Sequence, residues 1–323
     1  MNIAFFETAA TERDEITKAL AGHTVKFYDG TLTKENVGLV ADAEVVSIFI
    51  NSEISADIVA ALPATKFITT RSTGFDHIDL AATKAKGIVV ANVPGYGSHT
   101  VAEYAFALML GLSRKLFPAR ARLRDEKSFS IAGLEGFDLM GKTLGVLGTG
   151  RIGKNAIVIA KAFGMNVIAY DVFHDDAFAQ KTGFPYVDLP TILAQSDILT
   201  FHLPYNEGTH HILNGTNIAL VKKGAYLINT ARGELIDTKA MLAALADGTL
   251  AGAGLDVLEA ERSAKAGASS EIVTDDMTLA GLPNVIVTPH VAFYTQEAVA
   301  EINKTTIGNI VSFVGGTPQN VVS

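Results

Sequence analysis

The sequence predicts an α/β protein of two domains, each a parallel sheet with crossover helices, on three observations. Short apolar runs alternate with helical segments along most of the chain. Its 323 residues exceed what a single core usually organises. Near the middle, Lys142–Asp171 has the pattern of a strand, a glycine-punctuated turn, a helix and a second strand ending on an acid.

In the first part, Asn2–Phe6, Val25–Tyr28, Val45–Ile50, Phe67–Thr70 and Ile88–Ala91 are β-rich runs, and Glu12–Leu20 has helical spacing. No glycine fingerprint accompanies these strands. This half is therefore expected to have the architecture of a nucleotide-binding domain without its phosphate turn, and to serve the substrate side.

The stretch Asn92–Ser98 is a linker by composition. Ser98 or Thr100 is a candidate cap for the helix that follows, with Glu103 completing a capping box after Thr100. That helix is expected to run to about Lys115. Its apolar part, Val101–Leu112, is too short to span a membrane and suits a core or a subunit contact. Five basic residues between Arg114 and Arg124 fit a solvated helix face.

In the middle stretch, Gly148, Gly150 and Gly153 fall where strand passes into helix. There the first glycine permits a tight turn, and the second admits a pyrophosphate against bare backbone. The third lets helix and strand pack closely, while the helix N-terminus faces the anion. Asp171 stands about 20 residues on, the reach required to accept hydrogen bonds from a ribose diol. A dinucleotide-binding Rossmann-like unit is expected. The next residues are Val172–Phe173–His174–Asp175–Asp176, with no cation before Lys181, so NADH is expected over NADPH.

The βα rhythm continues through Ile198–Leu203, Ala225–Asn229, Gly252–Val257 and Val285–Thr288. Ala240–Leu245 is helical and stops at Asp247–Gly248. Glu261–Leu282 looks irregular and polar, a surface excursion. A last helix, Gln296–Phe313, is long enough to cross between domains, and Gly315–Ser323 can return to the first half.

Composition narrows the classes of function. Hydrophobic residues make up 48% against 19% charged, which suits a packed globular protein. A net charge of -8 speaks against a nucleic-acid footprint. Cysteine is absent, so disulfides and thiolate chemistry are excluded. The N-terminus carries Glu7, Glu12, Asp14 and Glu15 and lacks a secretory pattern. A cytoplasmic protein without membrane partners is expected. His210 and His211 match no metal spacing, and no metal is assigned.

Open α/β sheets bind ligands at the carboxyl ends of their strands, so polar residues just after the apolar runs are the informative ones. Arg232 follows Ala225–Ile228. A guanidinium there suits a carboxylate held by two parallel hydrogen bonds, or a structural ion pair. His290 follows Val285–Pro289, and an imidazole can give a proton to a developing alkoxide and take it back. His202 has the same placement after Ile198–Phe201. Asp256, Glu259 and Glu261 are candidates for a carboxylate that fixes the imidazole and favours its charged form. An arginine, a histidine, a carboxylate and a nicotinamide together suit reduction of a 2-oxo acid to a 2-hydroxy acid.

At these residues the sequence resembles the D-isomer-specific 2-hydroxyacid dehydrogenase family. The motifs are Arg71–Asp79, Asn92–Glu103, Gly148–Gly153, Asn229–Gly233, Leu255–Glu261 and Thr288–Thr295. The resemblance implies a discontinuous substrate domain, residues 1–98 and 296–323, with an NAD-binding Rossmann domain, 99–295, inserted in it and the active site in the cleft. It implies that Arg232 holds the substrate carboxylate, that His290 is the acid/base and that Glu261 rather than Glu259 is its partner. Asp256 resembles the aspartate near the nicotinamide carboxamide. The cofactor contacts so implied are Gly148, Thr149, Gly150, Arg151, Ile152, Gly153, Asp171, His202, Leu203, Pro204, Thr209, Thr230, Ala231 and Asp256. Thr73, Gly74, Tyr96 and Phe293 join Arg232 and His290 around the substrate.

Tyr96 and the pair Phe293–Tyr294 resemble the D-lactate dehydrogenase branch, so pyruvate or a similar small 2-oxo acid is the expected substrate. Bulkier acids of the 2-oxoisocaproate or phenylpyruvate type, or a dinucleotide-sensing corepressor, are the alternatives. Glu261 speaks against formate dehydrogenases, which pair their histidine with glutamine. A homodimer is expected.

Overall fold

The computed structural model describes residues 1–261 and 270–322. The chain divides into two compact units, Met1–Tyr96 with Thr295–Ser323, and Gly97–Tyr294.

The first unit holds five strands, β1 (Asn2–Phe6), β2 (Thr24–Tyr28), β3 (Val45–Ile48), β4 (Phe67–Thr70) and β5 (Val89–Ala91), in the order β2-β1-β3-β4-β5. All pairings are parallel. Strands β3 and β4 are buried along their whole length, which is why they read as unbroken apolar or Thr-rich runs. Residues 10–19, read as helical from Glu12, form the helix Ala10–Ala19.

This is the flavodoxin-like order, whose switch point lies between β1 and β3. Glu7 fills that point with the chain's own anion. Its carboxylate accepts from Phe49 N at 3.1 Å, Ser52 Oγ at 2.5 Å and Asn51 Nδ2 at 2.8 Å. A side-chain carboxylate after β1 thus takes backbone and side-chain donors from the loop after β3, and ties the two strand ends together.

The helix Gln296–Val314 belongs to this first unit. Its Phe313 ring stacks on Phe67 at 4.5 Å, and Asn309 Nδ2 donates to Asn92 O at 2.8 Å. The tail after it does return to the first half. Val322 N donates to Val90 O at 2.9 Å, and Asn92 N to Asn320 O at 3.1 Å.

The second unit holds β6 (Thr143–Leu147), β7 (Asn166–Tyr170), β8 (Ile198–Phe201), β9 (Ala225–Asn229), β10 (Leu250–Leu255) and β11 (Val285–Val287). They are parallel in the order β11-β10-β9-β8-β6-β7. One face is covered by the helices Ser98–Ser113 and Arg151–Ala162, which bury Phe106, Met109, Ala156 and Ile157. The other packs Leu199, Phe201, Leu227 and Leu255 against Ile192, Met241 and Leu245. Each of the larger of these side chains contributes about 1.5–3 kcal/mol on burial.

Three expectations for this unit are corrected. The helix from Ser98 is capped at Gly97 without a side-chain bond, so neither Ser98 nor Thr100 caps it and Glu103 closes no capping box. The same helix ends at Ser113, two residues before the expected end near Lys115, and most of its apolar positions are core. Within Glu261–Leu282, residues 262–269 lie outside the described residues, but Glu271–Gly281 is a helix capped by Ser270 Oγ and buries Leu279 and Asp276. Its sequence hid it, because it buries only Leu279 and one acid while Ile272 and Met277 stay exposed.

Candidate active site

The six strands of the second unit deliver their following residues to one edge. The order reverses between β6 and β8, and ligands of doubly wound sheets bind at such a point. Gly148 leaves β6 at φ +96, and a Cβ there would come within 2.7 Å of the His202 carbonyl carbon and Leu203 nitrogen. A Cβ on Gly153 would meet Gly148 O at 1.9 Å. The helix Arg151–Ala162 therefore sits directly on the turn, while Gly150, its N-cap, faces open space. Asp171, after β7, accepts from Thr149 N at 2.6 Å, Thr149 Oγ1 at 3.0 Å and Phe173 N at 3.1 Å. A bare helix N-terminus beside an anchored carboxylate fits a dinucleotide.

Neighbouring residues complete this edge. Burial lowers His202 to about 4, so its ring is neutral near pH 7. Thr200 Oγ1 lies 3.0 Å from its Nε2. Thr209 Oγ1 donates to Pro204 O at 2.7 Å and closes the loop after β8. Thr230 is buried after β9, and its hydroxyl has no protein partner. Arg151 and Ile152 open the helix, and Ala231 precedes Arg232.

Arg232 is set by the turn that follows β9. Asn229 clamps this turn from both sides, its Nδ2 donating to Arg232 O at 2.8 Å and its Oδ1 accepting from Ala231 N at 3.0 Å. Gly233 is obligatory for packing, since a Cβ would lie 2.1 Å from the Leu258 carbonyl carbon. The turn therefore rests on the backbone of the next strand's exit, and Arg232 Nη1 donates to Ala231 O at 2.8 Å.

His290 leaves β11 with φ +57, a left-handed conformation that costs a non-glycine residue about 1 kcal/mol or more. Asp256 holds it there. His290 N donates to Asp256 O at 2.9 Å, and the Asp256 carboxylate accepts from Thr288 Oγ1 at 2.6 Å, Val291 N at 2.9 Å and Ala292 N at 2.7 Å. Burial pushes the Asp256 carboxyl up, against those hydrogen bonds. Glu261 Oε1 lies 2.7 Å from His290 Nδ1, whereas Glu259 Oε1 lies 2.6 Å from His211 Nε2. The three acids left open by spacing thus have separate tasks.

Arg232 and His290 follow strands on either side of β10, two strand spacings or about 10 Å apart along the sheet. Phe293 continues the His290 segment and meets the Tyr294 ring at 5.7 Å. In the first unit, Thr73 Oγ1 donates to Val93 O at 2.9 Å, Asn92 Nδ2 to Thr73 O at 2.8 Å and Ser72 Oγ to Gly74 O at 2.6 Å. Tyr96 ends that unit's first segment. Among the described residues no group of three or more His, Asp or Glu forms a metal cluster. Nothing in the sequence pointed to the clamp by Asn229, which opens the Asn229–Gly233 motif, or to the pairing of His211 with Glu259.

Residues 106–292 match the family model for the D-isomer specific 2-hydroxyacid dehydrogenase, NAD binding domain. The 2-hydroxyacid dehydrogenase A of Aspergillus oryzae is 40% identical, over 97% of this chain and 92% of that protein. A D-lactate dehydrogenase from Aquifex aeolicus, solved with NAD and lactic acid, superposes with a TM-score of 0.91 at 35% identity, over 98% of this chain and 96% of that one. A D-2-hydroxyisocaproate dehydrogenase structure matches at 0.83 and 33% identity, covering 100% and 99%. Motifs, topology and these likenesses agree: the chain belongs to the D-isomer-specific 2-hydroxyacid dehydrogenases, NAD-dependent oxidoreductases.

Proposed function

We propose that this enzyme is a D-lactate dehydrogenase that reduces pyruvate, or a 2-oxo acid of similar size, to the D-2-hydroxy acid with NADH. The observation that carries the chemistry is the Glu261–His290 pair at 2.7 Å on the edge that also presents Arg232. Arg232 holds the substrate carboxylate through parallel charge-assisted hydrogen bonds and so orients the keto carbon. His290, fixed through Nδ1 by Glu261, presents Nε2 to the keto oxygen and gives it a proton. Bound NADH supplies the hydride, the electron pair of the reduction. Glu261 stabilises the imidazolium beforehand and fixes the ring afterwards. In the oxidative direction His290 takes the hydroxyl proton back.

Residues Gly148 to Gly153 receive the pyrophosphate and Asp171 the adenosine ribose, with His202, Leu203, Pro204, Thr209, Thr230, Ala231 and Asp256 along the same edge. Thr73, Gly74, Tyr96 and Phe293 are assigned to the substrate. The substrate domain is the first unit and the cofactor domain the second. Tyr96 and Phe293 favour a small side chain, and the 2-oxoisocaproate type is the second reading.

A homodimer belongs to this proposal. It is supported by apolar side chains of the second unit left in solvent, Phe129 at 88%, Ile131 at 84% and Met140 at 74% exposure. No helix among the described residues is long and apolar enough to cross a membrane, and the chain has no cysteine, which suits a cytoplasmic enzyme.

The test is a panel of 2-oxo acids with NADH and NADPH, with chiral analysis of the product. The reading expects pyruvate to be among the best substrates, a D product and NADH preferred. An L product, or NADH binding without turnover of any 2-oxo acid, contradicts it.

A further inference from the structure

Behind the acid/base pair stands a carboxylate that the mechanism does not use. Asp276 lies in the helix Glu271–Gly281 and is 2% exposed. Its Oδ2 accepts from Ala260 N at 2.7 Å and its Oδ1 from Thr238 Oγ1 at 3.2 Å. Ala260 is the residue between Glu259 and Glu261. Glu259 is fixed from its own side, with Oε1 2.6 Å from His211 Nε2 and Oε2 accepting from Thr238 N at 3.2 Å. The backbone at Leu258 and Glu259 is pressed against Gly233. The residues leading into Glu261 are therefore gripped on three sides.

A buried carboxylate is a costly way to join a helix to a turn, since apolar packing would do so without desolvating a charge. Burial pushes the Asp276 carboxyl up, and Glu259 and Asp275 push it the same way. What the carboxylate provides is an acceptor-only group able to hold two donors, one of them the N–H next to Glu261.

We propose that Asp276 is a positioning residue of the dehydrogenase, which by holding Ala260 N–H aims Glu261 at His290. The proposal rests on reading His290 as the acid/base. The titratable groups concerned are Asp275 on the same helix, Glu259 and Glu261 on the turn, His211 behind Glu259, and Asp256 beneath His290. Releasing Ala260 N–H lets Glu261 drift, and the imidazolium loses its counter-charge.

The test uses the full chain with Asp276→Ala and Asp276→Glu. The second keeps charge and acceptors but displaces them by a methylene, and it carries the test should the alanine variant not fold. The His290 imidazole is followed by NMR titration without cofactor, its resonance identified by loss in His290→Gln. Rates with NADH and pyruvate are measured against pH.

The expected result is a His290 titration displaced to lower pH by about 0.5–1 unit in Asp276→Ala and less in Asp276→Glu. The high-pH limb of reduction moves with it, and kcat falls about tenfold. NADH affinity and the KM for pyruvate stay within about twofold. In a Glu261→Gln background, Asp276→Ala has no further effect on the titration. A lowered Tm with both titration and limb unmoved overturns the proposal, as does a full additional displacement in the double variant. If the unaltered enzyme reduces no 2-oxo acid yet the titration still moves, the functional reading fails and the positioning stands.

Discussion

Glu261 and His290 face each other at 2.7 Å, while Glu259, two residues earlier, turns the other way to His211 at 2.6 Å. Spacing alone could not separate the two acids, because both lie in an irregular exit from β10. The separation is made by Gly233, which packs on the Leu258–Glu259 backbone, and by the partners waiting on each side. The charge on Glu261 matters as much as its hydrogen bond. Glu261→Gln keeps the acceptor and removes the charge, so kcat/KM for reduction falls about 10- to 100-fold and its high-pH limb retreats to lower pH. An unchanged pH profile in steady-state assays would remove Glu261 from this role.

Arg232 is asked for two parallel hydrogen bonds, which an ammonium cannot reproduce. Arg232→Lys is expected to raise the KM for pyruvate strongly and lower kcat/KM by about 10²- to 10⁴-fold, equivalent to about 3–5 kcal/mol. NADH affinity, followed by fluorescence titration, is expected to stay within a few-fold. Equal losses in both would place the arginine in the framework.

Two of the fingerprint glycines, Gly150 and Gly153, are predicted to fail in different ways. A Cβ at Gly150 meets nothing in the protein, whereas one at Gly153 meets Gly148 O at 1.9 Å. Gly150→Ala therefore keeps its Tm and loses NADH affinity by about tenfold or more, because in the proposed cofactor site the pyrophosphate comes against that bare backbone. Gly153→Ala lowers Tm without any ligand present. Calorimetry and NADH titration on both variants decide this.

His202 makes stability depend on pH. Burial sets its folded value at about 4 against 6.5 for the free side chain. The unfolded chain thus binds the proton more readily between those values. Stability is complete above pH 6.5 and is lost as pH falls towards 4, by about 3 kcal/mol at most. His202→Gln, which does not titrate, should show a smaller loss of Tm between pH 7 and pH 4.5 than the parent, when each is normalised to its own pH 7 value. Parallel curves would deny His202 this part.

What could be read from sequence follows from which forces are local. Apolar runs marked every strand of the second sheet, because its inner strands are covered on both faces; strand-end placement singled out Arg232, His290 and Asp256, and the distance from the glycines singled out Asp171. The glycine spacing was interpretable because each glycine answers a separate steric demand. The cap at Gly97 was not, since a helix entered from a packed linker can start without a side-chain bond. Helix Glu271–Gly281 was hidden because its burial rests on Leu279 and a carboxylate. Glu7 gave no signal either, for its partners Phe49 to Ser52 lie more than 40 residues away.

Single-turnover reduction tests the central claim most directly. Enzyme is mixed first with NADH and then with pyruvate, and the loss of nicotinamide absorbance is followed for the parent and for His290→Gln. Glutamine keeps a polar side chain but has no proton to give at neutral pH. The account predicts that NADH still binds and that the rate falls about 10²- to 10⁴-fold. Hydride transfer in His290→Gln as fast as in the parent would contradict it.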